Sequence, residues 1–225
     1  MNAQGKRSGE TAREYAYRMI REQVISLELK PGEAFNDMEF AAKIGVSRTP
    51  VREAVIQLSE ESRIIEIFPQ RGMRIAPIDV ELVEEARSLR VLLEKQMAGM
   101  CCEMATEEDI KWLQENVGLQ EFYMENSRPE MVMQLDDEMH HKLFMICHRE
   151  LTYGMCQKLA IHYDRIRSLS VNTVKDNTII EDHRKIIQFI AEHKKENAMA
   201  QMEKHLSRWQ LNEGKFRQEF PDYFK

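Results

Sequence analysis

From Asp79 onward the chain is helical in texture. Apolar residues recur at helical spacing and predict helices at about 79–103, 107–126, 129–149, 152–174, 177–193 and 196–219. Thr106, Asn126 to Pro129, Gly154 and Asn177 supply the breaks, although Gly154 can equally sit inside a helix start. Helices of this kind bury their apolar faces against one another, so the second part of the chain reads as an all-α helical bundle. One earlier stretch departs from this pattern. Arg63-Ile64-Ile65-Glu66-Ile67-Phe68 is β-branched and aromatic, Pro69-Gln70-Arg71-Gly72 is turn-forming, and Met73-Arg74-Ile75 follows. Two short strands around a four-residue turn are the simplest assignment. Nine Gly and six Pro in 225 residues argue against an all-β chain. Ala76-Pro77 reads as a linker, which divides the chain into a small domain over 1–76 and a helical domain over 77–225.

The small domain has its own order. Glu10 to Leu29 predicts an amphipathic helix with Ala16, Ile20, Val24 and Leu27 on one face, stopped by Lys30-Pro31-Gly32. A short helix follows from Asn36, which has capping-box spacing to Glu39, and ends at Ile44-Gly45. Ser47 then caps a helix with Pro50 in its first turn and Val51, Ala54, Val55 and Leu58 on the buried side. Two short helices joined by a tight glycine turn, followed by a β-hairpin, describe a winged helix-turn-helix. Its second helix would enter a DNA major groove. Arg48 and Arg52, four apart and opposite Val51 and Val55, can fork onto guanine or grip phosphate. Ser47 and Thr49 suit phosphate oxygens, and Arg71 beside Gly72 suits the minor groove. The net charge of −6 does not oppose this, because residues 1–77 hold 12 basic against 11 acidic side chains.

The run from Phe40 to Ala54, FAAKIGVSRTPVREA, closely resembles the recognition segment of the GntR family of bacterial transcription regulators. Leu29-Lys30-Pro31-Gly32 and Pro69-Gln70-Arg71-Gly72 match in order as well. The resemblance implies that Arg48 and Arg52 are the principal DNA contacts, with Ser47 and Thr49 on phosphates and Arg71 and Gly72 at the wing tip. Two departures stand out. Met38 replaces an arginine that relatives often carry, and Glu61-Ser62-Arg63 stands where Glu-Gly-Leu is usual.

In the helical domain, Asp136 and His140 share a helix face at i, i+4, while His183 and His205 fall on two later helices. By spacing alone a helical histidine is more often surface or satisfied core than ligand. The motifs Asp136-x-x-Met139-His140, Glu181-Asp182-His183-x-x-Ile186-Ile187 and Met202-x-x-His205-Leu206 resemble the FCD effector domain of the FadR-type branch of the family. The resemblance implies that Asp136, His140, His183 and His205 hold a divalent transition metal. Three imidazoles and a carboxylate suit zinc first, and nickel if waters complete six-coordination. It further implies a small carboxylate effector. Arg90 is the candidate clamp, although Glu94 one turn along can equally hold it in a structural pair; Arg165 and Arg167 are weaker candidates. His141 reads as outer shell or surface, and His148, His162 and His193 have no supporting motif.

The expected function is therefore a sequence-specific regulator, a repressor by the family's commoner pattern, that binds double-stranded DNA at an inverted repeat as a homodimer. An effectorless repressor with a structural metal and a metal-dependent enzyme are the alternatives. No H-E-x-x-H, nucleophile elbow or phosphate loop supports the enzyme. Cys101, Cys102, Cys147 and Cys156 form no framework and read as buried reduced thiols, and the fifteen Met as soft core packing. With no signal peptide or membrane-length apolar run, a cytoplasmic protein without membrane contact is expected.

Overall fold

The computed structural model describes residues 5–173 and 178–225, which fall into two compact units, 1–80 with 220–225 and 81–219. Three helices and a small sheet build the first. Thr11 opens α1 (Ala12–Ile25) with a reciprocal capping box to Glu14. Ala16, Ile20 and Val24 are fully buried on α1, as are Val51, Ala54, Val55 and Leu58 on α3 (Arg48–Ser62), so the two apolar stripes expected from the sequence form one core. The helix ends earlier than expected. Ser26 caps it, and Leu27 lies beyond in a left-handed conformation at φ 64°.

Asn36 caps α2 (Asp37–Ile44) by accepting from the amides of Met38 and Glu39. Gly45 closes that helix at φ 73°, where a side chain would be strained, and so allows the tight turn into α3. The expected hairpin is present as β2 (Ile65–Phe68) and β3 (Gly72–Ile75), with Phe68 paired to Gly72. The sequence reading missed a strand. Ala34 and Phe35 form β1, which pairs antiparallel with β3, giving the order β1-β3-β2. A two-residue strand leaves no alternation to detect. Residues 220–225, which sequence reading gave to the helical domain, belong to this unit; Phe224 bridges Ile78, and Lys225 pairs with Asp79 at 2.6 Å.

The second unit is helical throughout its described residues: α4 (Val80–Met104), α5 (Glu107–Glu125), α6 (Pro129–Ile146), α7 (Glu150–Thr173), α8 (Thr178–Ala191), α9 (Lys195–Leu206) and α10 (Trp209–Glu219). The Thr106 capping box with Asp109 starts α5, and Pro129 occupies the first turn of α6. Gly154 lies inside the start of α7, the second of the two places the sequence allowed it. The break expected at Asn177 lies outside the described residues. The helix expected over 196–219 is two helices. Ser207 caps α9, and Arg208 turns its guanidinium onto Asp182 of α8, which is fully buried. No Gly or Pro marks this break; the ion pair across to α8 accompanies it. Cys101, Cys102 and Cys147 are buried free thiols, Cys101 Sγ lying 3.6 Å from Cys147 Sγ. Among the described residues no helix is long and apolar enough to cross a membrane.

Candidate functional site

The first unit presents Ser47, Arg48, Thr49 and Arg52 together and exposed at the start of α3. Ser47 has N-cap backbone geometry, but its hydroxyl makes no capping bond, which corrects the expectation that it closes the helix end. Arg71 and Gly72 lie exposed at the hairpin tip, where Gly72 at φ 100° permits the turn. The sequence reading missed Asp37. This side chain is buried beneath α3 and faces both arginines: Arg48 Nε donates to its Oδ1 at 3.0 Å, and Arg52 Nη1 lies 3.5 Å from Oδ2. The two guanidiniums, each more than half exposed, are thereby held by one carboxylate. Met38, in place of the family's arginine, is exposed on the adjacent helix.

The left-handed position after α3 belongs to Arg63, at φ 55°. This exposed arginine closes the helix, a place where glycine is the usual residue.

In the second unit α6 supplies Asp136 and His140, α8 supplies His183, and α9 supplies His205. One ligand atom from each lies within 4.8 Å of the others. The four side chains are buried, 9% exposed at most. His183 Nε2 is 3.2 Å from Asp136 Oδ1 and 3.3 Å from His205 Nε2. His140 Nε2 is buried without a hydrogen-bond partner. Two outer nitrogens meet oxygens, His140 Nδ1 at Glu94 and His183 Nδ1 2.8 Å from Gln120 Oε1, while His205 Nδ1 is 4.0 Å from Asp182 Oδ2 and makes no hydrogen bond. Outward Nδ1 and inward Nε2 is the arrangement that offers three lone pairs to a cation.

The electrostatics agree. Burial pushes His183 down to about 4 and His205 well below the usual histidine range, so these rings are neutral near pH 7. Burial opposes ionisation of Asp136, but the Arg167 guanidinium beside it holds its carboxyl far below the usual range. Neutral imidazoles and an ionised carboxylate are the protonation states a metal requires. A crowd of inward lone pairs, one of them orphaned, fits a divalent cation.

Beside the cluster is a cavity of about 60 Å³, lined by Arg90, Tyr163, Arg167 and Arg208 together with Asp136 and His205. Both readings of Arg90 find support here. It reaches the cavity, and its Nε donates to Glu94 Oε1 at 2.5 Å with its guanidinium over the Tyr163 ring. Glu94 therefore faces Arg90 and His140 at once, and against the opposing effect of burial the Arg90 guanidinium and the contact with His140 bring it down to about 2. Arg167 pairs with Asp136, Asp137 and Asp164. His141 stacks on Tyr153 at 4.4 Å, away from the cluster, and His193 bonds the Cys102 carbonyl. Gln120 carried no family motif, and although Asp182 stood within one and Glu94 was weighed as a partner of Arg90, nothing in the sequence related either to a histidine of the cluster.

Residues 12–75 match the family model of bacterial regulatory proteins, gntR family, and residues 85–208 match the FCD domain. The HTH-type transcriptional repressor RspR of Escherichia coli (strain K12) is 28% identical over 209 residues, 92% of this chain and 91% of that protein. The Nta operon transcriptional regulator of Aminobacter aminovorans is 26% identical, with 82% and 86% of the two chains covered. The solved structure of E. coli McbR/YncC has the same fold, with a TM-score of 0.78 at 17% identity over 93% of this chain and 99% of that one. These relatives are transcriptional regulators, which sets the metalloenzyme alternative aside. The chain belongs to the GntR family of bacterial transcriptional regulators, with an N-terminal helix-turn-helix domain followed by an FCD domain.

Proposed function

We propose that this regulator is a homodimeric repressor whose hold on an inverted-repeat operator is modulated by a small carboxylate bound beside a divalent metal. In this reading residues 1–76 read DNA, with Ser47, Arg48, Thr49, Arg52, Arg71 and Gly72 at the duplex, and residues 77–225 sense and dimerise. The observation that carries it is the convergence of Asp136, His140, His183 and His205 on the wall of a cavity that Arg90, Arg167 and Arg208 also line. Zinc, with nickel as the second candidate, would supply a Lewis-acidic centre with a position open to carboxylate oxygen. The chain's own contribution is Arg90, oriented by Glu94 and Tyr163 for a bidentate grip on the same ligand. At roughly 30 Å³ per water, the cavity has room for about two water-sized groups, which suits a small acid rather than a large metabolite.

The test is metal analysis of the parent and of His205→Ala, followed by binding to a duplex selected from a random library, with and without candidate small carboxylates. Metal in the parent, less metal in the variant, and carboxylate-sensitive DNA binding only in the parent support the reading. A parent free of transition metal after growth in metal-replete medium removes it. One observation favours a second reading, a purely structural metal without an effector: Arg90 and Arg167 are already paired with protein carboxylates. Melting shifts with small carboxylates separate the two, because only a bound ligand raises the transition.

A further inference from the structure

Buried behind His183 is a chain of side-chain amides that the sequence motifs do not mark. Gln120 is fully buried and Asn116 is 4% exposed, one turn apart on α5. Asn116 Nδ2 donates to the Leu135 carbonyl at 3.1 Å, Gln120 Nε2 donates to Asn116 Oδ1 at 2.8 Å, and Gln120 Oε1 lies 2.8 Å from His183 Nδ1. Leu135 is the residue before Asp136, so the chain joins the helix carrying one candidate ligand to the helix carrying another.

The far end of this chain determines its near end. A backbone carbonyl can only accept, so Asn116 must present its NH₂ to Leu135 and its oxygen to Gln120. Gln120 must then present its NH₂ to Asn116 and its oxygen to His183. An oxygen opposite Nδ1 requires a hydrogen there, and a neutral imidazole has only one N–H. Nε2 is thereby left bare, facing Asp136 Oδ1 and His205 Nε2 at 3.2 and 3.3 Å. A bare nitrogen there can accept from a protonated His205 Nε2 or ligate a cation that displaces that proton.

We infer that Gln120, anchored through Asn116 to the Leu135 carbonyl, is a positioning residue that fixes His183 in its Nδ1–H tautomer and so presets Nε2 as a metal ligand. This deepens the proposed function and rests on it for the metal; the tautomer itself does not depend on metal being bound. The role differs from that of Glu94, the carboxylate that meets His140 Nδ1. An amide orients the ring without adding a charge.

The experiment uses full-length protein labelled with nitrogen-15 histidine, and zinc alone as the probe. In metal-free parent at pH 7.5, nitrogen shifts are expected to show His183 with a protonated Nδ1 and a bare Nε2. Gln120→Leu, which removes the acceptor, is expected to lose the single tautomer and to weaken zinc binding about 10–100-fold in chelator competition. Gln120→Glu keeps an acceptor toward His183 and is expected to restore both. Asn116→Ala keeps Gln120 but removes its anchor, and is expected to give mixed tautomers should Gln120→Leu fail to fold. A parent His183 carrying its proton on Nε2 overturns the inference. So does a folded Gln120→Leu or Asn116→Ala that matches the parent in both tautomer and zinc affinity. A parent that binds no zinc but shows the expected tautomer, lost in the variants, removes the metal reading and leaves the orienting chain standing.

Discussion

Replacing Asp37 with Asn tests whether the recognition arginines act as an oriented pair. The substitution keeps size and an acceptor atom but removes the charge that both guanidiniums share at 3.0 and 3.5 Å. Because each arginine is more than half exposed, each ion pair stabilises by only about 0.2–1 kcal/mol after solvent screening. The place of Asp37 in the first turn of α2 adds about 0.3–1 kcal/mol. Relief from burying a carboxylate opposes these, so the net loss of stability should be about 1 kcal/mol, a few degrees in Tm for a unit of this size. The larger effect belongs to DNA. A bidentate arginine contributes about 1–3 kcal/mol of base discrimination, and an arginine released from its buttress should lose about half of that, roughly tenfold in the ratio of selected to random duplex. Removing one negative charge near the phosphates should also strengthen random-sequence binding and steepen its salt slope by up to about 0.9. Titrations of selected and random duplexes at several salt concentrations measure both. If Asp37→Asn selects the same motif with the same ratio, the buttress argument is wrong. If it loses affinity for both duplexes equally, the arginines grip phosphate alone.

Other substitutions follow from the same geometry. Arg63 occupies a left-handed conformation that costs a non-glycine residue about 1–2 kcal/mol, so Arg63→Gly should stabilise the protein by about 0.5–1 kcal/mol once glycine's greater unfolded entropy is counted; thermal melts that show a loss refute the strain argument. His183 sits at about 4 when folded against an ordinary 6.5, so the unfolded chain takes up its proton first as pH falls. That contribution to stability is present above 6.5 and is lost progressively between about 6.5 and 4, and a metal-free protein whose His183→Asn variant shows the same pH profile through this window contradicts it. Zinc at a hundredfold excess over its Kd should stabilise the folded parent by about 2.7 kcal/mol, and His205→Ala should lose most of that gain; equal melting shifts in the two proteins would place the zinc elsewhere.

Much of the architecture was legible because it is written in local chemistry. The apolar stripe of Val51, Ala54, Val55 and Leu58, the Asn36 cap and the left-handed Gly45 each act within a few residues, and together they specify two short helices and the turn between them. The candidate ligands were legible through a resemblance, since Asp136 and His140 share one helix face but nothing local relates either to His183 or His205. What escaped the sequence depends on partners far along the chain. Strand β1 exists only because β3 pairs with it, and the break between α9 and α10 carries no local breaker, only the pairing of Arg208 with Asp182. Asp37 reads as one more acidic residue near a helix start until the fold sets two arginines against it. Gln120 and Asn116 read as polar residues on a helix until packing buries them between α6 and α8. Periodicity and capping are properties of neighbouring residues, whereas a buried hydrogen-bond chain has direction only once its carbonyl, amides and imidazole have been brought together. The sequence by itself therefore determined the helices and the residue types at the site. The tertiary structure decided which nitrogen of His183 faces inward, because only packing supplies the carbonyl that orients the rest.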